Sequence, residues 1–191
     1  MKIKVGVMGS AGDTRGGGAS VSPEDQAEAL GHALAGESIV LLSGATTGLV
    51  YLVGKTAHDQ GAFHVGISPA NTLQEHTERY QLPSDAYDVL IFTGFGLKGR
   101  NVVLVRSCDI VLFIAGGMGS LNEFTIANDE GKIIGCLTQT GGVADEADFL
   151  MRTFSRPAGA QVFQDEDPVK LIEKCLRAFG KQRQDHGNFS G

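Results

Sequence analysis

Ile110-Val-Leu-Phe-Ile-Ala-Gly-Gly-Met-Gly-Ser-Leu-Asn-Glu123 is the stretch that decides the fold. Five apolar residues in a row, Ile110 to Ile114, predict a strand buried on both faces. The strand ends in a turn of glycines, Gly116, Gly117 and Gly119, and a helix is predicted to open at Ser120. Ser120-Leu-Asn-Glu123 has the spacing of a capping box, in which the serine oxygen and a glutamate three residues on satisfy orphan backbone donors. Glycines let backbone N–H groups approach an anion with no Cβ in the way, and a helix N-terminus adds favourable partial charge. The segment therefore reads as a phosphate cradle made of Gly116, Gly117, Met118, Gly119 and Ser120, with the Glu123 carboxylate at its lip. The same residues also fit a plain strand-to-helix turn in which Glu123 only caps.

On either side of this stretch, short apolar runs alternate with helical patterns. Ile3–Met8 predicts the first strand, followed by a glycine- and serine-rich loop from Gly9 to Ser22. Ser22-Pro23-Glu24-Asp25 starts a helix that runs to Ala35, with serine as cap, proline in the first position and acids in the first turn. Ile39–Leu42 is the second strand, Gly44 to Gly48 a second glycine turn, and Leu49 to Gln60 a helix stopped by Gly61. Phe63–Ser68 is the third strand. Asn71 to Asp88 is a polar insertion with a short helix around Leu73–Tyr80. Val89–Phe92 is the fourth strand, Gly96 to Ser107 a helix, Ile110–Ile114 the fifth strand and Ser120–Glu130 a helix. Ile133–Leu137 is the sixth strand. A helix near Glu146–Thr153, a strand at Gln161–Phe163 and a helix from Asp167 to Phe179, capped by Gly180, complete a single domain over residues 1–180. The polar residues 181–191 are expected to form a disordered tail.

Such alternation predicts an α/β protein, Rossmann-like and doubly wound, with a mostly parallel sheet and helices on both faces. Right-handed crossovers then place the strand carboxyl ends along one edge, where ligands of open α/β sheets bind. The dinucleotide fingerprint GxGxxG is absent. Gly6-Val-Met-Gly9-Ser-Ala-Gly12 spaces its glycines three apart, and no acid ends the second strand to hold a ribose, which argues against a conventional NAD enzyme.

Composition narrows the function classes further. The chain has 191 residues, 42% of them hydrophobic, which suffices for one sizeable core. Its net charge of −6, with no Lys/Arg cluster, offers no basic field to nucleic acid. The apolar runs are far too short to span a membrane. Lys2 and Lys4 lead directly into a strand pattern without the features of a signal peptide. Cys108, Cys136 and Cys175 are odd in number and widely separated, which predicts buried thiols in a reducing cytoplasm. No metal-ligand spacing is present, so no metal is expected.

The fourth strand ends near Thr93, and Gly94-Phe-Gly-Leu-Lys-Gly-Arg100 opens the next helix. Arg100 therefore belongs to an early turn of a helix that springs from the carboxyl edge, as does Glu123. If the fourth and fifth strands are neighbours, the two side chains converge over the glycine turn. A guanidinium holds phosphate or carboxylate through two parallel hydrogen bonds, and a carboxylate beside it can stabilise positive charge or direct a water. A salt bridge that merely ties two helices together is the other reading.

Thr46 and Thr47 either donate hydroxyls to a ligand or cap the following helix. Thr14-Arg15-Gly-Gly-Gly18 either closes over a ligand or is a plain surface loop. His32, His58, His64, His76 and His186 lack ligand spacing and are expected to be exposed or locally satisfied. Arg106 lies about 120° around its helix from Arg100, facing solvent or a subunit contact. Val102 to Val105 place apolar residues on more than one face of that helix, which predicts a homodimer or larger assembly.

Arg100, Asp109 and Gly116-Gly-Met-Gly-Ser-Leu-Asn-Glu123 together resemble the signature of the Lonely Guy (LOG) family, whose relatives have been mislabelled as lysine decarboxylase-like. That pattern is an arginine, a strand, then Pro-Gly-Gly-x-Gly-Thr-x-x-Glu. Ser43-Gly-Ala-Thr-Thr-Gly48-Leu-Val is similar to the family's second glycine turn, Gly-Gly-Gly-x-x-Gly-Leu-Met. Val65-Gly-Ile-Ser-Pro69 resembles the strand and proline after it, and Gly9-Ser10 fits the turn after the first strand. The resemblance covers roughly residues 3 to 137. It implies a Rossmann-like fold, usually dimeric, that binds a nucleotide-like ligand with no cofactor required.

The best-known members of the family hydrolyse the N-glycosidic bond of cytokinin nucleoside 5′-monophosphates, with the arginine and glutamate matching Arg100 and Glu123 as the catalytic pair. By the same resemblance Gly9, Ser10, Gly44, Thr46, Thr47 and the 116–120 turn hold the phosphorylated ligand. Several positions depart from the pattern: Ala115 replaces proline, Ser120 threonine, Asn122 an acid, and Ser43 and Ala45 two glycines. The hydrolases carry Met-His-x-Arg-Lys where this chain has Leu97-Lys-Gly-Arg100-Asn101. The form Gly-x-x-x-Arg-Asn is more similar to a bacterial branch related to molybdenum-cofactor carrier proteins, which bind a pterin phosphate and need no catalysis. Three readings follow: a nucleoside monophosphate phosphoribohydrolase, a non-catalytic carrier or sensor of a nucleotide or pterin phosphate, and an interaction protein that has lost its site. The presence of both Arg100 and Glu123 weighs against the third.

Overall fold

The computed structural model describes residues 1–10, 21–154 and 159–187. The loop that contains Thr14, Arg15 and the three glycines lies outside the described residues, as does the side chain of His186. In chain order the elements are β1 (Ile3–Gly9), α1 (Pro23–Ala35), β2 (Ile39–Ser43), α2 (Gly48–Asp59), β3 (Phe63–Ser68), a π-helical turn (Glu75–Arg79), β4 (Val89–Phe92) and α3 (Gly96–Ser107). They continue with β5 (Ile110–Ile114), α4 (Met118–Asp129), β6 (Ile133–Leu137), α5 (Gly142–Asp145), α6 (Ala147–Phe154), β7 (Gln161–Asp165) and α7 (Pro168–Gly187).

Among the described residues seven strands form one sheet in the order β4-β3-β2-β1-β5-β6-β7, every neighbouring pair parallel. The chain winds outward from β1 to β4, crosses back to the other side of β1, and winds outward again from β5 to β7. The strand order therefore reverses between β1 and β5, and a crevice opens there at the strand carboxyl ends. This is the doubly wound Rossmann-like fold expected from the alternation.

Side chains of the central strands alternate between two buried layers. Ile110, Leu112 and Ile114 of β5 pack with α1, α2 and α7, whereas Val111 and Phe113 pack with α3, α4, α5 and Ala147 of α6. All five are at most 1% exposed, which is why the strand is an unbroken apolar run rather than an alternating one. Full burial of each such side chain contributes about 1.5–3 kcal/mol. Helix α1 begins as its sequence dictates: the Asp25 N–H donates to the Ser22 hydroxyl at 3.1 Å, with Pro23 in the first turn.

Three expectations need correction. β4 is an edge strand, separated from β5 by β3, β2 and β1, so the fourth and fifth strands are not neighbours. Arg100 reaches Glu123 because α3 crosses back over the sheet, packing on β3, β1 and α4. Helix α4 opens at Met118 with Gly117 as its cap, not at Ser120. The insertion does carry its expected short helix, wound as a π-helical turn over Glu75–Arg79, in which buried His76 lies 2.9 Å from both the Ser68 hydroxyl and the Pro83 carbonyl. Finally, α7 runs through Gly180 to Gly187 instead of ending at Phe179. Lys181, Gln182, Arg183 and Gln184 are good helix formers that offset the cost of one glycine, and the Arg183 guanidinium sits 5.9 Å above the Phe179 ring.

Candidate functional site

A cavity of about 290 Å³ opens at the strand-order reversal. Of the residues expected at a ligand, Gly9, Ser10, Gly44, Thr46, Gly117, Gly119 and Ser120 line it, and so do Arg100 and Glu123. Thr47, Gly116 and Met118 do not. Thr47 is exposed at the start of α2, Gly116 lies half-buried in the turn, and Met118 projects outward, 79% exposed.

The β5–α4 turn is shaped by left-handed backbone at Ala115 (φ 52°) and Gly116 (φ 111°). The Ala115 N–H donates to the Thr140 hydroxyl at 2.8 Å, and that hydroxyl donates to the Leu137 carbonyl at 2.6 Å. Proline could supply neither this dihedral nor this N–H, so alanine at position 115 and Thr140 belong to one arrangement. Gly117 is extended and caps α4 through its backbone alone, the Leu121 N–H donating to its carbonyl at 2.9 Å. The N–H groups of Met118, Gly119 and Ser120 thus have no intrahelical acceptor.

Ser120 and Glu123 do not form the capping box. The Ser120 hydroxyl donates to the Gly9 carbonyl at 2.9 Å, and Glu123 accepts from Arg100. The first bond pins the start of α4 to the end of β1. A Cβ on Gly9 would stand 2.2 Å from the Ile114 carbonyl oxygen, so only glycine lets β1 and β5 leave the sheet this close together.

Arg100 and Glu123 are each 6% exposed, and Nη1 of the arginine donates to Oε1 of the glutamate at 2.9 Å. The salt bridge that the sequence also allowed is therefore present, and it lines the cavity. The same Nη1 donates to Asn101 Oδ1 at 2.9 Å, and Asn101 Nδ2 donates to Asn122 Oδ1 at 2.8 Å. The two departures from the hydrolase pattern at positions 101 and 122 are thus one hydrogen-bonded unit that braces the ion pair. A Cβ on Gly44 would stand 2.2 Å from Arg100 Nη2, so the guanidinium lies flat against the β2 turn. Arg100 Nε is buried without a partner. Burial raises the Glu123 carboxyl above its ordinary pKa, against the opposing pull of Arg100 and then Lys98.

Lys98 was not singled out in the sequence, because an exposed lysine carries no signal until its neighbour is known. Its Nζ comes within 3.1 Å of where a Gly119 Cβ would stand, and it lines the cavity. Beneath the second glycine turn, His64 Nδ1–H donates to the Ala86 carbonyl at 2.6 Å, and Nε2 accepts from the Ser43 hydroxyl at 2.9 Å. Burial depresses the His64 pKa to about 4, so the ring is neutral. Ser43 stands where the LOG pattern has glycine, and its hydroxyl is used here to brace the turn from below.

Cys108, Cys136 and Cys175 are free and buried. Among the described residues no group of His, Cys, Asp and Glu side chains is arranged to hold a metal, and no helix is long and apolar enough to cross a membrane.

Comparison with known proteins agrees with this architecture. The model of the SLOG cluster4 family matches residues 2–172, and the chain belongs to that family. An uncharacterized protein of Archaeoglobus fulgidus is 32% identical over 108 residues, a stretch covering 56% of this chain and 66% of that one, just short of two thirds of its length. The X-ray structure of TM1055 is 26% identical with a TM-score of 0.71, covering 90% of this chain and 99% of that one. The molybdenum cofactor binding protein of Rippkaea orientalis is 27% identical with a TM-score of 0.67, covering 92% of this chain and 98% of that one. The resemblance to the LOG group and its molybdenum-cofactor-carrier branch, drawn from Arg100 and the glycine turns, is thereby borne out.

Proposed function

We propose that this SLOG cluster4 protein binds a phosphate-bearing small molecule of the nucleotide or pterin class at the β1–β5 crevice, and carries it without cleaving it. One electrostatic observation carries the reading. The N-terminus of α4 has no side-chain cap and bears partial positive charge, yet the Lys98 ammonium stands against that same turn. Two positive ends facing one cavity are mutually unfavourable until an anion lies between them, and a phosphate fits the donors present. The Rippkaea orientalis relative is a molybdenum cofactor binding protein, which supports a pterin-type ligand here. Carrying is favoured over cleavage because Glu123 is already engaged by Arg100 within a braced, buried unit. The proposal extends to a homodimer and to the cytoplasm, where three free buried thiols stay reduced.

A second reading, hydrolysis of the N-glycosidic bond of nucleoside 5′-monophosphates, is favoured by the raised Glu123 carboxyl in the cavity wall. There Arg100 would hold the phosphate or sugar side, and Glu123 would stabilise an oxocarbenium-like transition state. Calorimetry with inorganic phosphate and adenosine 5′-monophosphate, beside an assay for released base, separates the two. The carrier reading expects binding and no free base, with Arg100→Ala weakening affinity by about 10- to 100-fold through loss of a charge-assisted contact. The hydrolase reading expects free base, and a Glu123→Gln turnover lower by about 10²–10³. Unchanged binding in both variants would remove this cavity as the site.

A further inference from the structure

The two segments that frame the α4 turn, residues 9–10 and 114–117, have every backbone carbonyl engaged from within the protein. The Gly9 carbonyl accepts from the Ser120 hydroxyl at 2.9 Å, and the Ser10 carbonyl from the Leu49 N–H at 3.0 Å. The Ser10 N–H donates to the Ile114 carbonyl at 3.3 Å, and the Leu121 N–H to that of Gly117 at 2.9 Å. The start of α5 takes the other two. Ala144 N–H donates to the Ala115 carbonyl at 3.1 Å, and Val143 N–H to the Gly116 carbonyl at 2.9 Å. Gly142 permits that approach, since its φ is 57° and a Cβ there would stand 2.1 Å from the Gly116 oxygen. What this seat still offers is donors. The first N–H groups of α4 have no intrahelical acceptor, and the Lys98 ammonium stands against the same turn. Arg100, 6% exposed, lines the cavity with its Nε unpartnered. Among the described residues Glu123 is the one carboxylate that lines the cavity, and its Oε1 is already taken by Arg100.

We propose that the seat selects a fully ionised tetrahedral oxyanion, a terminal phosphate dianion or sulfate alike, and rejects an oxyanion that still carries a proton. The selectivity rests on the phosphate reading above and names the charge state of the group that fits it. A dianion presents an acceptor on every free oxygen, matching a seat made of donors. A protonated phosphate brings an O–H that needs an acceptor, and the framing carbonyls are all spent. A buried donor left unpaired weakens binding. By the same logic an internal phosphodiester, with two free oxygens and a single charge, fits less well than a terminal monoester. The carbonyls engaged by Val143, Ala144 and Ser120 therefore determine specificity without touching the ligand.

Calorimetry with sulfate, inorganic phosphate and adenosine 5′-monophosphate tests the selectivity. Near pH 8 sulfate and inorganic phosphate bind within about 10-fold of each other. Sulfate stays a dianion down to pH 5, whereas a phosphate monoester takes up a proton near pH 6. The ionisable groups around the seat are Lys98 and Arg100 from α3, Glu123 from α4, and Asp145 from α5, whose carboxylate accepts from the Gly141 N–H at 3.0 Å. They act on both ligands, so the ratio of the two affinities isolates the ligand's own proton. From pH 8 to pH 5 the nucleotide loses about 10-fold in affinity relative to sulfate. Gly142→Ala, which pushes α5 off the turn carbonyls, weakens sulfate and phosphate alike by about 10-fold. The wild-type comparison holds whether or not that variant folds. A wider gap between sulfate and phosphate, an unchanged ratio at pH 5, or a folded Gly142→Ala protein with wild-type sulfate affinity overturns the selectivity and leaves the phosphate reading standing. If neither phosphate nor the nucleotide binds near pH 8, the phosphate reading itself has failed.

Discussion

Glu123 and Arg100 hold the closest balance of opposing forces in the molecule. Burial pushes the carboxyl pKa upward, and the guanidinium only partly restores it. The folded state therefore takes up a proton at Glu123 more readily than the unfolded chain does. Between the ordinary glutamate value of about 4.3 and the raised folded value, this residue's contribution to stability declines as pH rises, and above the folded value the loss is complete. Glu123→Gln keeps an acceptor for Arg100 Nη1 but does not titrate. Urea unfolding at a series of pH values should thus show the Gln variant gaining on wild type with rising pH, and a constant difference would refute the raised pKa. Arg100 and Glu123 were legible in the sequence because charged residues opening helices after strands must lie at the carboxyl edge. Lys98, Asn101 and Asn122 were not, since their roles exist only across the α3–α4 contact.

Ser22-Pro-Glu-Asp25 and Ser120-Leu-Asn-Glu123 look equivalent as helix starts, but only the first caps. Gly117 takes the cap position of α4 with an extended backbone, three residues earlier, which frees the Ser120 hydroxyl for the Gly9 carbonyl. Ser22→Ala should cost about 1 kcal/mol in urea unfolding and leave phosphate affinity unchanged. Ser120→Ala should cost about 1 kcal/mol as well, but should also weaken phosphate binding, because the α4 turn is no longer pinned to β1. Equal phosphate affinity in the two variants would detach Ser120 from the site. The strands β1 to β6 and helices α1 to α3 were legible because periodicity and turn glycines agree along each of them. The end of α7 was not, since one glycine in an otherwise helical surface is overridden by its neighbours. The π-helical turn is fixed by His76 bonds to residues before and after it, which local preference does not encode.

At the scale of the whole molecule, the parallel sheet and its ligand-bearing edge followed from alternation, whereas the strand order did not. The long return of α3 from edge strand β4 to β5 brings Arg100 to the crevice and has a second effect. It leaves one face of β3 and β4 thinly covered. Phe63, Val89 and Ile91 are 45%, 42% and 45% exposed, on the same face as Val65 and Ile67, and Val102 of α3 is 44% exposed. Such a face suits the proposed homodimer. Light scattering at micromolar concentration should give a dimer mass for wild type and a monomer mass for the Ile91→Glu, Val102→Glu double variant. A monomeric wild type would refute the association.

The three thiols are divided between the two sides of the sheet. Cys175 is buried with α1, α2 and α7, whereas Cys108 and Cys136 are buried on the opposite side with α3 and α4. Burial holds Cys108 and Cys175 at a pKa of about 12 and raises Cys136 as well, so none reacts as a thiolate while its surroundings stay closed. An alkylating reagent consequently records when each layer opens, and which thiol is modified tells on which side the opening began. The chain thus carries its own pair of stopwatches, one per face, for whether its two layers separate together or in turn.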